Sequence, residues 1–229
     1  MDLGQIIDTA LRLYRQNFGE LLAIAAITLP LDIINAVGIG LISDKLVAGI
    51  VSAVLMIPSA LIGLVAIAGI TRAVADLGDG VAPDFNRVYR QVLPRLGALL
   101  LTALRVIVIV LALTVTIVGI PYAIYLGIRW TFFAQAVVIE GQSGEEAMSL
   151  SARVVQGSWW RTLGIIIMIW LLAGLPTIAV TLLFASAAAI AANLAVAAVS
   201  IVVVPFTGAA LTLLFFDLQS REREHAGIA

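Results

Sequence analysis

The chain contains no cysteine, which excludes disulfides, thiolate metal sites and cysteine nucleophiles. It has a single histidine, His225, in a polar stretch four residues from the last one, where a solvated side chain is the ordinary reading. Charge is scarce as well: 12% of residues are Asp, Glu, Lys or Arg, against about 25% in a soluble domain. The formal net charge of −1 provides no global field for nucleic acid. Met1-Asp2-Leu3-Gly4-Gln5 lacks a basic segment, and the first long apolar run starts only near Leu21. No cleavable signal peptide is therefore expected. Glycine-rich phosphate loops, metal-ligand spacings and His-based nucleophile arrangements are also missing. Glu145 and Glu146 are adjacent but fit a helix start better than an acid–base pair. The expectation is a non-enzymatic chain with no cofactor and no metal.

What the chain does have is apolar surface. Hydrophobic residues make up 62% and the mean hydropathy is +1.13, beyond what one globular core of this length can bury. A bilayer is the solvent that accepts such a composition. Spanning its hydrocarbon takes about 20 apolar residues. The polar punctuations leave six such stretches, near 19–42, 46–74, 96–118, 121–140, 160–186 and 190–217. The expected fold is an all-α integral membrane protein with six transmembrane helices in one domain, 1–229. Four or five spans are the alternatives, because Gly119-Ile120-Pro121 alone must turn the chain between the third and fourth. The fifth and sixth are also softly divided, by Ala185-Ser186 through Asn193.

Short amphipathic helices are expected near 2–17, 84–95 and 144–156. Leu3, Ile6, Ile7, Ala10, Leu11, Tyr14 and Phe18 form one apolar stripe at helical spacing; Phe85, Val88, Tyr89, Val92, Leu93 and Leu96 form another. Ser143-Gly144-Glu145-Glu146 reads as a capping box and Gly157 as a C-terminal stop. After each amphipathic segment a basic, partly aromatic stretch meets Gly19, Gly97 or Gly164 and then a spanning run. The pattern reads as three repeats of an interfacial helix plus a transmembrane hairpin.

With six spans, Arg12, Arg15, Arg72, Arg87, Arg90, Arg95, Arg153, Arg161, Arg221 and Arg223 fall on one side and Lys45 on the other. The positive-inside rule makes the arginine side cytoplasmic, with both termini there, in a bacterial inner membrane. Trp159 and Trp160 then sit at the inner interface.

Charged groups deep in a bilayer are costly and point to function by default. At about 1.5 Å per residue, Arg105 lies about 12 Å deep, Arg129 about 16 Å and Asp32 about 20 Å. Two readings follow: an ion-paired set that fixes helix register, or a midplane site with one excess positive charge for an anionic group such as a lipid phosphate. Arg12, Arg15, Arg87, Arg90, Arg153, Trp159, Trp160 and Arg161 are the candidate interfacial lipid contacts, against the reading of a solvated basic face. Pro30, Pro58, Pro176 and Pro205 are candidate kinks. The alanine-rich stretch 185–198 suggests close helix packing.

Three segments carry a family resemblance. They are Gly4-Gln5-Ile6-Ile7-Asp8-Thr9-Ala10-Leu11-Arg12-Leu13-Tyr14-Arg15-Gln16-Asn17-Phe18, the stretch from Ile128-Arg129-Trp130 through Glu140 and Ala147-Met148-Ser149 to Trp159-Trp160, and Leu213-Leu214-Phe215-Phe216-Asp217-Leu218. Over most of its length the chain resembles the bacterial glycerophosphoryl diester phosphodiesterase membrane domain family and its stand-alone relatives. Arg129 and Glu140 match a recurring pattern of that family. The resemblance implies an association with glycerophosphodiester chemistry but carries over no catalytic residue, because the family's soluble phosphodiesterase domain has no counterpart here.

The leading expectation is a membrane protein that engages lipid or a lipid-derived anionic group, in support of a separate lipid-processing enzyme. Membrane lipids are the expected partners, a protein on the cytoplasmic face is a further one, and nucleic acid is not. The alternatives are a small transporter or channel subunit with a midplane polar site, and a structural or assembly scaffold.

Overall fold

The computed structural model describes residues 3–225; the side chains of Leu3 and His225 lie outside that description. Among the described residues all regular structure is helical. The order is α1 (Leu3–Gln16), α2 (Phe18–Ala25), a 3-10 turn (Ala26–Thr28), α3 (Leu29–Gly40), α4 (Lys45–Gly78) and α5 (Phe85–Val92). Then come a 3-10 turn (Leu93–Arg95), α6 (Leu96–Thr114), α7 (Gly119–Arg129), α8 (Phe133–Val138), α9 (Gly144–Val155), α10 (Trp159–Leu183) and α11 (Ala189–His225).

Five segments are long and apolar enough to cross a membrane: Phe18–Gly40, Lys45–Gly78, Phe85–Thr114, Trp159–Leu183 and Ala189–Glu224. The chain is accordingly an all-α protein with the helices of a multi-pass membrane protein. Large apolar side chains are widely exposed along these helices, as lipid-facing surfaces require.

The stretch expected at 121–140 is not one helix. It divides into α7 and α8 at Trp130-Thr131-Phe132. Thr131 Oγ1 donates back to the Gly127 carbonyl (2.8 Å), a bond that bends helices. Ser151 from α9 then repairs the backbone: its Oγ donates to the Arg129 carbonyl (2.7 Å) and accepts from the Phe132 N–H (3.1 Å). Beyond the break, Ala134 to Val138 are all buried, packed by α4, α6 and α9. α7 instead pairs with α6. One straight axis cannot serve both packings.

Helices are present at the three short segments: α1, α5 and α9. Ile6, Ala10 and Tyr14 of α1 are buried against α11, while Leu11 and Phe18 at the stripe's edge stay exposed. In α5, Val88, Tyr89 and Val92 are buried and Phe85 and Leu93 are not. Two tyrosines bolt these helices down. Tyr14 Oη donates to the Val202 carbonyl (2.9 Å), and Tyr89 Oη to the Ile24 carbonyl (2.7 Å) just before the first 3-10 turn. The Ser143 side chain makes no capping bond, so the expected capping box is not formed; the Gly144 N–H is taken instead by Thr102 Oγ1 (2.9 Å) of α6. Gly157, at φ +80°, does follow the end of α9.

Pro58, Pro176 and Pro205 lie inside unbroken helices. Pro30 marks a real discontinuity: it occupies the first turn of α3, where its missing N–H is tolerated, directly after the 3-10 turn. In the alanine-rich stretch only Ala197 is buried. The close approach nearby is made by Gly40, where a Cβ would come within 2.5 Å of Ile190 Cγ1. At the start of α4, Asp44 Oδ1 accepts from the Leu46 and Val47 N–H groups (2.8 and 3.1 Å). Asp44→Ala is expected to lose about 1 kcal/mol, measured by thermal unfolding in detergent.

Packing is uneven along the bundle. Buried side chains run from Ala66 to Asp76 in α4 and from Thr207 to Leu218 in α11, at the end where α1, α5 and α9 dock. They form two apolar clusters, one around Leu21, Ile24, Ile70 and Leu99, the other around Ile6, Phe132, Ile169 and Phe215. At the opposite end Leu41, Leu46, Val115, Ile117, Val118 and Leu183 are exposed.

Candidate functional site

The three charges expected to meet at one midplane site have separate surroundings. Arg105 is exposed on α6 and lines a groove of about 610 Å³ with Ala98, Leu101, Ser143, Gly144, Glu145 and Glu146. Its guanidinium reaches the start of α9, where a Cβ on Gly144 would come within 2.8 Å of Arg105 Nη1. Arg129 ends α7 and stays local: its guanidinium lies 5.5 Å from the Tyr125 ring centroid and Nη1 donates to Tyr125 Oη (3.2 Å). Asp32 faces a third place, a cleft between α3, α4 and α11. Helix rise gave comparable depths, but rotation about each axis sends the side chains to different neighbours.

The aromatic and basic residues at the α9–α10 turn do come together. Trp159 Nε1 donates to the Tyr125 carbonyl (3.2 Å), with ring centroids 5.8 Å apart, and Trp160 packs edge-on against Trp159 at 4.7 Å. Trp160 is 78% exposed. At the same turn, up to Ser158, a groove of about 370 Å³ is lined by Arg153, Gln156, Gly157, Ser158, Arg221 and Glu222. The left-handed backbone at Gly157 turns the chain here, which brings the exposed face of α9 next to the start of α10.

Asp217 organises the basic groups behind the groove. Its buried carboxylate accepts from Arg161 (2.9 Å) and from Arg221 one turn later (3.1 Å). Arg161, a candidate lipid contact, is thus tied to the protein. Arg153 has no ion-pair partner among the described residues and faces the groove from α9. Arg153, Arg161 and Arg221 against Asp217 and Glu222 leave one positive charge. Arg12, Arg15, Arg87 and Arg90 are exposed on α1 and α5, outside this groove. Glu140 accepts from Gln219 Nε2 (2.7 Å) and is not paired with Arg129.

No family model, curated protein or solved structure matches the chain. The functional reading rests on geometry. Two other features of it were not anticipated from the sequence. Arg95, counted only for topology, donates to the Val137 and Val138 carbonyls and so closes the end of α8. The Asp32 cleft gathers Asn35, Ser52, Asn193 and Ser200, none of them a candidate residue above. Among the described residues, no three His, Cys, Asp or Glu side chains gather as a metal site.

Proposed function

We propose that this is a non-enzymatic multi-pass membrane protein that holds an anionic phospholipid headgroup in the Arg153–Ser158–Arg221 groove. The carrying observation is that groove's unpaired arginine, at the turn from which the exposed Trp160 follows two residues after the lining Ser158. An arginine fork binds phosphate through charge-assisted hydrogen bonds, and tryptophan favours the headgroup level of a bilayer. In this reading α7 and α8 together make a fourth, broken crossing, tolerated because its freed backbone groups are satisfied by Ser151. The helices then make three units of interfacial helix plus hairpin, with the arginine-rich end and both termini in the cytoplasm of a bacterial inner membrane. The resemblance to the phosphodiesterase membrane domain family is part of the proposal: lipid held here would serve a separate lipid-processing enzyme.

Native mass spectrometry of protein released from nanodiscs tests it. Wild type is expected to retain anionic phospholipid, and Arg153→Ala to retain about tenfold less, the loss of one charge-assisted hydrogen bond. Arg129→Ala, whose guanidinium is engaged with Tyr125, is expected to keep the lipid. A folded wild-type protein released without lipid would sink the reading.

A second reading, a small transporter or channel subunit, is favoured by one observation: the polar cleft at Asp32, far from the arginine groove in both sequence and helix position.

A further inference from the structure

The cleft between α3, α4 and α11 has a volume of about 310 Å³ and is lined by Asp32, Asn35, Ser52, Asn193 and Ser200 among apolar neighbours. A smaller space of about 150 Å³ adjoins it, also lined by Asp32 and Ser200, together with Thr28 and Ser59. These groups sit on segments apolar enough to span a membrane, where an ionisable residue needs a partner or a purpose.

The hydrogen-bond directions decide what the cleft can accept. Each serine spends its only proton on its own helix: Ser52 on the Ala48 carbonyl (2.7 Å), Ser59 on Leu55 (2.9 Å), Ser200 on Val196 (3.0 Å). The amides are turned the same way. Asn35 Nδ2 donates to Ser59 Oγ (2.9 Å) and Asn193 Nδ2 to the Ala36 carbonyl (3.3 Å). Asn35 Oδ1 is left buried with no donor. Asp32 has neither an ion pair nor a hydrogen bond to its side chain among the described residues. The lone pairs left at the cleft are those of the serine hydroxyls and the amide oxygens, beside one carboxylate, while each amide keeps one further N–H.

We propose that this cleft is a binding site for a monovalent cation, with Asp32 supplying the charge and Asn35, Ser52, Asn193 and Ser200 supplying neutral oxygens. Hard oxygen donors select hard cations. One carboxylate suits a single charge, whereas calcium sites gather several. The volume leaves room for coordinated water. The 3-10 turn at Ala26–Thr28 and Pro30 makes the α2–α3 segment discontinuous directly beside Asp32, the arrangement that membrane proteins use to expose ion ligands at depth. The site does not depend on the lipid groove.

The test is thermal unfolding of the full chain in detergent with NaCl or KCl titrated against N-methyl-D-glucamine chloride at constant ionic strength. Wild type is expected to show a saturable rise of about 3–5 °C at ten times the half-saturating concentration, with sodium, potassium or both. Asp32→Asn is expected to abolish that rise, while Asp44→Asn, at an exposed helix cap, keeps it. Ser200→Ala removes an oxygen without changing charge, so it covers the case in which Asp32→Asn fails to fold. It is expected to raise the half-saturating concentration at least about threefold, the loss of one weak ligand. Equal behaviour of both salts and N-methyl-D-glucamine in wild type would overturn the proposal. So would an undiminished rise in Asp32→Asn, or an unchanged midpoint in Ser200→Ala.

Discussion

Ser151→Ala is expected to destabilise the protein by about 2–4 kcal/mol, a large effect for the loss of one oxygen atom. The side chain is fully buried, so no water replaces it. Its hydroxyl serves two backbone groups at once, accepting from the Phe132 N–H and donating to the Arg129 carbonyl. Removing it strands both at the break between α7 and α8, and each unsatisfied buried group costs about 1–3 kcal/mol. Thermal unfolding in detergent, followed by helical circular dichroism, measures the change. Ser149→Ala, exposed on the same helix, is the control and is expected to be neutral within about 0.5 kcal/mol. Equal stability of the two variants would mean that the backbone at the break finds other partners.

Phe215→Ala is expected to cost about 3–5 kcal/mol. Phe215 is fully buried on α11, with ring centroids 5.9 Å from Phe132 and 6.1 Å from Phe216. Truncation leaves a cavity between α11, the helix break and α10, where Ile165, Ile166 and Ile169 are already packed. Those side chains lie on helix and cannot collapse freely into the space. A drop in midpoint of about 2–4 °C per kcal/mol is expected, and the neighbouring Phe216→Ala, only half-buried, should give a smaller one. A Phe215→Ala variant no less stable than Phe216→Ala would show that the second apolar cluster is soft.

Hydropathy and amphipathic spacing made most of the helices readable. α1 and α5 were legible because each has a stripe with a definite period, α9 because Ser143-Gly144-Glu145-Glu146 and Gly157 bracket it, and α4, α10 and α11 because each is a long apolar run bounded by polar residues. The break at 130–132 was not legible. The Thr131 back-bond to Gly127 is local, but the break also needs Ser151 to satisfy its freed backbone groups across 19 and 22 residues of sequence, and no local pattern announces a hydroxyl supplied by another helix. The supposed convergence of Asp32, Arg105 and Arg129 failed for a related reason. Rise along a helix predicts depth, but the direction of a side chain depends on rotation and on neighbours.

The Asp32 cleft did leave a trace in the sequence. Thr28, Asp32 and Asn35 are spaced by four and three, Ser52 and Ser59 by seven, and Asn193 and Ser200 by seven. Asp32 with Asn35, Ser52 with Ser59 and Asn193 with Ser200 each share one face of a helix, Thr28 lies in the preceding 3-10 turn, and polar faces within apolar runs are matched by facing one another. The arginine groove was half legible. Arg153, Trp159 and Trp160 were visible as interfacial types, but Asp217, the carboxylate that takes up Arg161 and Arg221, lies 56 residues beyond Arg161.

The order of synthesis adds a consequence to the position of α11. This helix packs against α1, α2, α3, α4, α9 and α10, and a ribosome makes it after all of them. Tyr14 in the first helix finds its acceptor only when Val202 has emerged, 188 residues later. Until then the α3–α4 face bearing Asp32 lacks Asn193 and Ser200, and Arg161 lacks its carboxylate. These polar faces stay unclosed until α11 is made, so a chain interrupted before α11 exposes polar groups that the full bundle hides.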